Sequence, residues 1–183
     1  KVLLGAGLAG LDDGELLHGA HPVRVPVESA ERAQEIFDEI TYVKGAAVID
    51  MLESWLGPER FKIGVRAYLR AHEYGSATSE DLFRALGQAS GRDVSTVASA
   101  WFESAGHPEV AVERHCETVP TLALKQHRYF PVGQAPPGSR QVWPLPVCAR
   151  YPAEGALKTT CTLIDAPSGT LGLDSAQCPP WVL

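Results

Sequence analysis

The chain has 183 residues, 22 acidic against 16 basic, for a formal charge of −6, and 45% of it is hydrophobic. No basic run or aromatic-interleaved basic stripe occurs, which argues against nucleic acid and anionic membrane surfaces as partners. No apolar stretch approaches the roughly 20 residues of a membrane span and no signal peptide is recognisable, while a first residue other than Met leads us to expect a piece of a longer gene product.

Residues 1–28 read as a glycine-rich and then extended lead-in. Gly5-Ala6-Gly7-Leu8-Ala9-Gly10 satisfies G-x-G-x-x-G after a potential strand, and Glu28 ends a possible second strand, as a dinucleotide fingerprint requires. The helix that must follow is interrupted by Gly14 and Gly19 and closed by His21-Pro22, and no β/α alternation continues, so a nicotinamide or flavin enzyme is the weakest reading. Val23–Val27, flanked and interrupted by Pro22 and Pro26, is an extended connector.

From Ser29, a potential N-cap, to Gly106 the pattern predicts about five helices joined by short turns. Val48, Ile49, Leu52, Trp55 and Leu56 form one stripe of a 3.6-residue period beyond Lys44. Gly45-Ala46-Ala47 opens that helix with small residues, letting another chain come close and leaving the Tyr42 phenol projecting. Gly57-Pro58 ends it and starts the next, with Phe61, Val65, Tyr68 and Leu69 as its apolar face. Thr78-Ser79-Glu80-Asp81 caps a helix bearing Leu82, Phe83 and Leu86. Gly91 closes it, Asp93 caps another bearing Val94, Val97, Trp101 and Phe102, and Gly106 closes that one.

At His107-Pro108 the period changes to two. Val110 and Val112, Leu122 and Leu124, Val142 to Val147, Leu157 to Ile164 and Thr170 to Leu173 predict five short strands, the pattern of an antiparallel β-sandwich over 107–183. Cys178 to Leu183 looks like the beginning of another strand, so the sandwich is expected to be truncated.

Several motifs in order carry a family resemblance: His21-Pro22 before an extended run, Ile40-Thr41-Tyr42-Val43-Lys44-Gly45-Ala46 with Met51-Leu52, Leu56-Gly57-Pro58-Glu59-Arg60-Phe61, His72 to Leu82, and Trp101 to Val112. Together they resemble the alanyl aminopeptidase family of zinc peptidases, within the gluzincin clan. The likeness covers residues 21–113 well and the later strands loosely. It implies that 29–106 is the helical end of a thermolysin-like catalytic domain, that 107–183 is the following β-sandwich, and that the parent removes N-terminal residues from peptides using zinc. The family's H-E-x-x-H, its next-helix glutamate and its G-x-M-E-N loop are missing from this sequence. The chain alone is therefore expected to hold no zinc and to be inactive, depending on the rest of the same polypeptide. His18 and His21, three apart, are surrounded by glycine and proline and make a poor zinc pair.

In the mechanism this resemblance implies, zinc acidifies a water, a glutamate takes its proton, and the attacked carbonyl develops an oxyanion. Tyr42 occupies the position of the phenol that donates to that oxyanion. Glu35 and Glu39, one turn apart, read as solvated helix charges and not as an acid/base pair. Lys44 is expected to pair with Asp38 or another carboxylate near the tyrosine, and Trp101-Phe102 to be core. A noncatalytic relative using the same elements as a protein-interaction scaffold is the alternative, with Tyr42 then a relic.

All four cysteines, Cys116, Cys148, Cys161 and Cys178, fall in the strand-rich part, without C-x-x-C. Disulfides and an exported or periplasmic protein are favoured slightly, with buried thiols as the other possibility. Of the three connectivities, a hairpin of 122–130 with 141–149 about Pro136-Pro137-Gly138 and another about Pro167-Ser168-Gly169 favour Cys116–Cys148 and Cys161–Cys178.

Overall fold

The computed structural model describes residues 21–27, 29, 38, 40–130 and 141–183. The glycine-rich lead-in, the helix expected after Ser29 with Glu35 and Glu39, and the Pro136-Pro137-Gly138 turn lie outside the described residues. What is described is four α-helices followed by two antiparallel sheets, in two compact units, His21–Ala105 and Gly106–Leu183.

In the helical unit a π-helical turn, Ile40–Lys44, runs directly into α1 (Gly45–Leu56). Of the stripe foreseen on α1, Val48, Leu52, Trp55 and Leu56 are buried, joined by Met51, while Ile49 is half-buried. Gly57, at φ 84°, breaks the helix in a conformation that L side chains rarely adopt, and Pro58 begins α2 (Pro58–Ala71) at a position where its missing N–H costs no bond. The apolar face expected on α2 is not a buried one. Its one buried residue is Gly64, Leu69 is 59% exposed, and the helix meets its neighbour through the missing side chain.

That neighbour is α3 (Ser79–Ser90). Thr78 and Asp81 close a capping box, each side chain accepting the other's backbone N–H, and Phe83 and Leu86 point inward. Gly91, left-handed at φ 69°, stops α3, and the Asp93 carboxylate accepts the Thr96 N–H at 3.1 Å to start α4 (Val94–Phe102). Val94, Val97, Ala98 and Trp101 are buried on α4, and the Phe83 and Phe102 rings meet edge to face at 5.3 Å. The helix ends at Phe102 with Glu103 as its cap, three residues before the Gly106 expected to close it.

The second unit contains β1 (Pro108–His115), β2 (Thr121–Arg128), β3 (Leu145–Ala153), β4 (Ala156–Ile164) and β5 (Ser168–Gly172). One sheet has the order β1-β2-β5 and the other pairs β3 with β4. The expected β2–β3 hairpin does not form, because β1 and β5 occupy both edges of β2. Instead β3 folds onto β4 through the two-residue turn Glu154-Gly155, both at positive φ, the mirror-image turn whose twist suits a hairpin. Nor do β4 and β5 form a hairpin about Pro167: the chain crosses there from one sheet to the other. Buried Gln126 links the sheets, donating to the carbonyls of Trp143 and Ala166, both at 2.9 Å, and accepting the Trp143 N–H at 3.0 Å.

The disulfides are Cys116–Cys178 and Cys148–Cys161, the opposite of the expected pairing. Cys148 and Cys161 face each other directly in the β3–β4 register with Cα atoms 4.0 Å apart. The last residues form no strand, although Leu183 exchanges both backbone bonds with Arg150 on β3, at 2.7 and 2.9 Å.

Candidate functional site

Tyr42 stands on the π-helical turn and is 63% exposed, so its phenol projects from the body of the helical unit. Asp38 holds this turn. Its Oδ1 accepts the Thr41 N–H at 2.9 Å, and its backbone carbonyl accepts the Tyr42 N–H at 3.2 Å. Two residues beyond Tyr42, Lys44 is 5% exposed and donates its ammonium to the Ser104 carbonyl. A buried ammonium needs such a partner, and one that the structure shows is the Ser104 carbonyl, just past α4.

Asp38 also meets His21, with Nε2 and Oδ2 2.6 Å apart, while His21 Nδ1 lies 2.7 Å from the Pro22 carbonyl. A carbonyl only accepts, so Nδ1 must donate, and a carboxylate at 2.6 Å calls for a proton on Nε2 as well. Both contacts therefore favour the imidazolium form. Burial opposes that charge, but the Pro22 carbonyl and the Asp38 carboxylate outweigh it and raise the His21 pKa above 6.5. For Asp38, burial also opposes charge, and the Thr41 amide with His21 outweighs it, bringing the carboxyl below 3.8.

The segment that carries His21 is tied down further along. The Arg24 N–H donates to the Phe102 carbonyl at 2.9 Å, and its guanidinium reaches Glu80 at 2.6 Å, Glu103 at 3.1 Å and the Ser79 hydroxyl at 2.8 Å. Neither the His21–Asp38 pair nor the Arg24 cluster was read from sequence. Their members lie 17 and up to 79 residues apart, and only the extended connector after His21-Pro22 hinted that this segment lies across the helices.

These donors do not suit zinc. Among the described residues no three His, Cys, Asp or Glu side chains converge, and both nitrogens of His21 are committed to oxygen partners. His18, Glu35 and Glu39 lie outside the described residues. In the other unit, a cavity of about 240 Å³ is lined by apolar side chains such as Val112, Leu122, Leu124 and Val147, with Arg114 and the disulfide-bonded Cys148 also on its wall, a set without a free thiol or a carboxylate side chain.

The Peptidase family M1 domain matches residues 11–101, a stretch that holds His21, Asp38, Tyr42 and Lys44 together. Residues 11–101 thus belong to peptidase family M1. M1-type relatives include an alanine/arginine aminopeptidase of Saccharomyces cerevisiae, 41% identical over 117 residues, which cover 64% of this chain and 13% of that protein. The mitochondrial aminopeptidase 2 of the same yeast is 37% identical over 143 residues, or 78% of this chain and 14% of that one. Aminopeptidase M1 of Arabidopsis thaliana is 40% identical over 138 residues, covering 74% and 15%. The chain thus spans 13–15% of the length of these relatives. Among the described residues no helix is long and apolar enough to cross a membrane.

Proposed function

We propose that this chain is the late part of an M1 aminopeptidase acting on the N-terminal residue of peptides, and that Tyr42 donates its phenolic proton bond to the oxyanion formed at the scissile carbonyl. The observation that carries this reading is the exposed phenol on a turn held at both ends, within the motif that resembles the family's tyrosine segment. A phenol with an ordinary pKa near 10 keeps its proton at neutral pH, so it strengthens its bond as negative charge grows on the oxygen. Catalysis gains because that bond is worth more in the transition state than in the ground state.

The helices are read as the end of a thermolysin-like catalytic domain reaching residue 106, and the two sheets as the beginning of a β-sandwich from residue 107. Zinc is a cofactor of the parent enzyme, held by ligands outside this sequence, so the isolated chain hydrolyses no peptide. Two disulfides in the sheet unit support an exported or periplasmic protein.

The test is Tyr42→Phe in the full-length protein. Loss of one oxyanion donor lowers kcat by about 10²- to 10³-fold while KM stays nearly constant. An unchanged kcat removes Tyr42 from the chemistry, and a full-length protein with no aminopeptidase activity at all favours the scaffold alternative.

A further inference from the structure

We propose that His21 and Asp38 are positioning residues for Tyr42: the imidazolium fixes the carboxylate whose residue holds the Thr41 and Tyr42 amides, and so fixes where the phenol stands. This rests on the reading of Tyr42 as the oxyanion donor.

A π-helical turn is a rare conformation that needs outside support. Here Asp38 supplies it with three contacts at once: Oδ1 to the Thr41 N–H, the backbone carbonyl to the Tyr42 N–H, and Oδ2 to His21 at 2.6 Å. His21 is itself held by the Pro22 carbonyl and by a connector that Arg24 fastens to Phe102, Glu80 and Glu103. That connector also passes over the start of α1, where a side chain at Gly45 would stand 3.8 Å from Val23. The far end of the turn is fixed by Lys44 on Ser104. The phenol is therefore referenced to the end of α4 by two routes, one through His21 and Asp38 and one through Lys44.

Only the first route titrates near neutrality. Among the described residues the charged groups that face His21 are Asp38, which favours its proton, and Lys44, which opposes it. When His21 loses a proton while keeping its bond to Pro22, Nε2 turns a lone pair toward the carboxylate, and the contact becomes repulsive. The turn is thus fixed below the raised His21 pKa and loosened above it.

Ring titration and amide exchange test this separately from the role of Tyr42. In the 183-residue chain, Asp38→Asn should bring the His21 ring titration back toward 6.5. It should also speed amide exchange at Thr41 and Tyr42 by about tenfold or more, with Leu86 and Trp101 unchanged. The unsubstituted chain reports the same loosening as pH rises through the His21 titration, after correction for intrinsic exchange, so a variant that misfolds does not decide the matter. In the full-length enzyme, His21→Gln should lower kcat about 10- to 100-fold with KM within about twofold, and should abolish the alkaline fall in kcat that follows His21. Unaltered exchange at Tyr42, both in Asp38→Asn and across the His21 titration, overturns the positioning role. If Tyr42→Phe leaves kcat intact, the oxyanion reading fails instead, and the exchange data still decide the clamp.

Discussion

Gly64→Ala should destabilise the helical unit, although alanine is the better helix former. A methyl group at Gly64 would sit 2.8 Å from Leu86 Cδ2, 2.9 Å from Leu86 Cα and 3.2 Å from the Ala85 carbonyl oxygen. The first contact yields if Leu86 changes rotamer, but Leu86 is 0% exposed and has little free space, and the other two are backbone atoms of α3. Relief requires α2 and α3 to separate, and the two backbone contacts put its cost in the upper half of the usual overpacking range, about 2–3 kcal/mol. The gain in helix propensity is about 1 kcal/mol, so the net loss is about 1–2 kcal/mol. In a domain of 60–100 residues that lowers Tm by roughly 5–10 °C. Urea titration followed by Trp55 fluorescence reads the change, and Ala67→Gly on the exposed side of α2 calibrates the propensity term in the same helix. A variant as stable as the parent, or more so, would refute the close crossing of α2 and α3, since propensity alone would then decide the sign.

Further outcomes follow from the caps, the sheets and the disulfides. Thr78→Ala should cost about 1 kcal/mol by removing the α3 cap, measured by chemical denaturation. Asp81, held at about 2 chiefly by the Thr78 backbone N–H, contributes stability fully above its ordinary 3.8 and loses it as pH falls through about 2, so an acid melt of Asp81→Asn should lack that step. Gln126→Ala strands the Trp143 N–H and two carbonyls between the sheets and should destabilise that unit by about 3 kcal/mol in the same denaturation assay. Peptide mapping without reduction should recover Cys116 linked to Cys178 and Cys148 linked to Cys161. By loop entropy, removing the former, which spans 62 residues, costs about 4 kcal/mol, and the latter, spanning 13, about 3 kcal/mol.

The helical part was legible where local chemistry decides the outcome. Gly57-Pro58, Thr78 with Asp81, Gly91 and Asp93 each satisfy or break backbone bonds within four residues, and each does in the structure what its side chain dictates. Gly106 misled because α4 has already ended at Phe102: its positive φ of 77° lies beyond the helix cap, and a side chain there would stand 2.9 Å from the Arg128 guanidinium of β2. The exposed Tyr42 was readable from the small residues after it, whereas Lys44 was not, since a carbonyl partner 60 residues away leaves no local mark.

The cysteine pairing shows why strands are harder to read than caps. Alternation of Leu122, Leu124 and the residues around Val147 fixes which side chains face inward, yet says nothing about which strand lies alongside. β2 and β3 follow one another with Pro136-Pro137-Gly138 between them, a sequence that predicts a hairpin. The deciding residues lay elsewhere: Glu154-Gly155 accepts positive φ at two successive positions, so β3 is captured by β4 at once, and Cys148 falls opposite Cys161 with no loop left to adjust. With β3 on β4, β2 lies between β1 and β5, and Cys116, just past β1, is bonded to Cys178. The two-residue turn therefore accounts for the Cys148–Cys161 bridge, and the remaining two cysteines pair with each other. Replacing Gly155 with Val, which resists positive φ, should slow oxidative formation of the Cys148–Cys161 bond and raise the yield of mispaired isomers on refolding; if native pairing returns at the original rate, the turn does not set the order of strand capture.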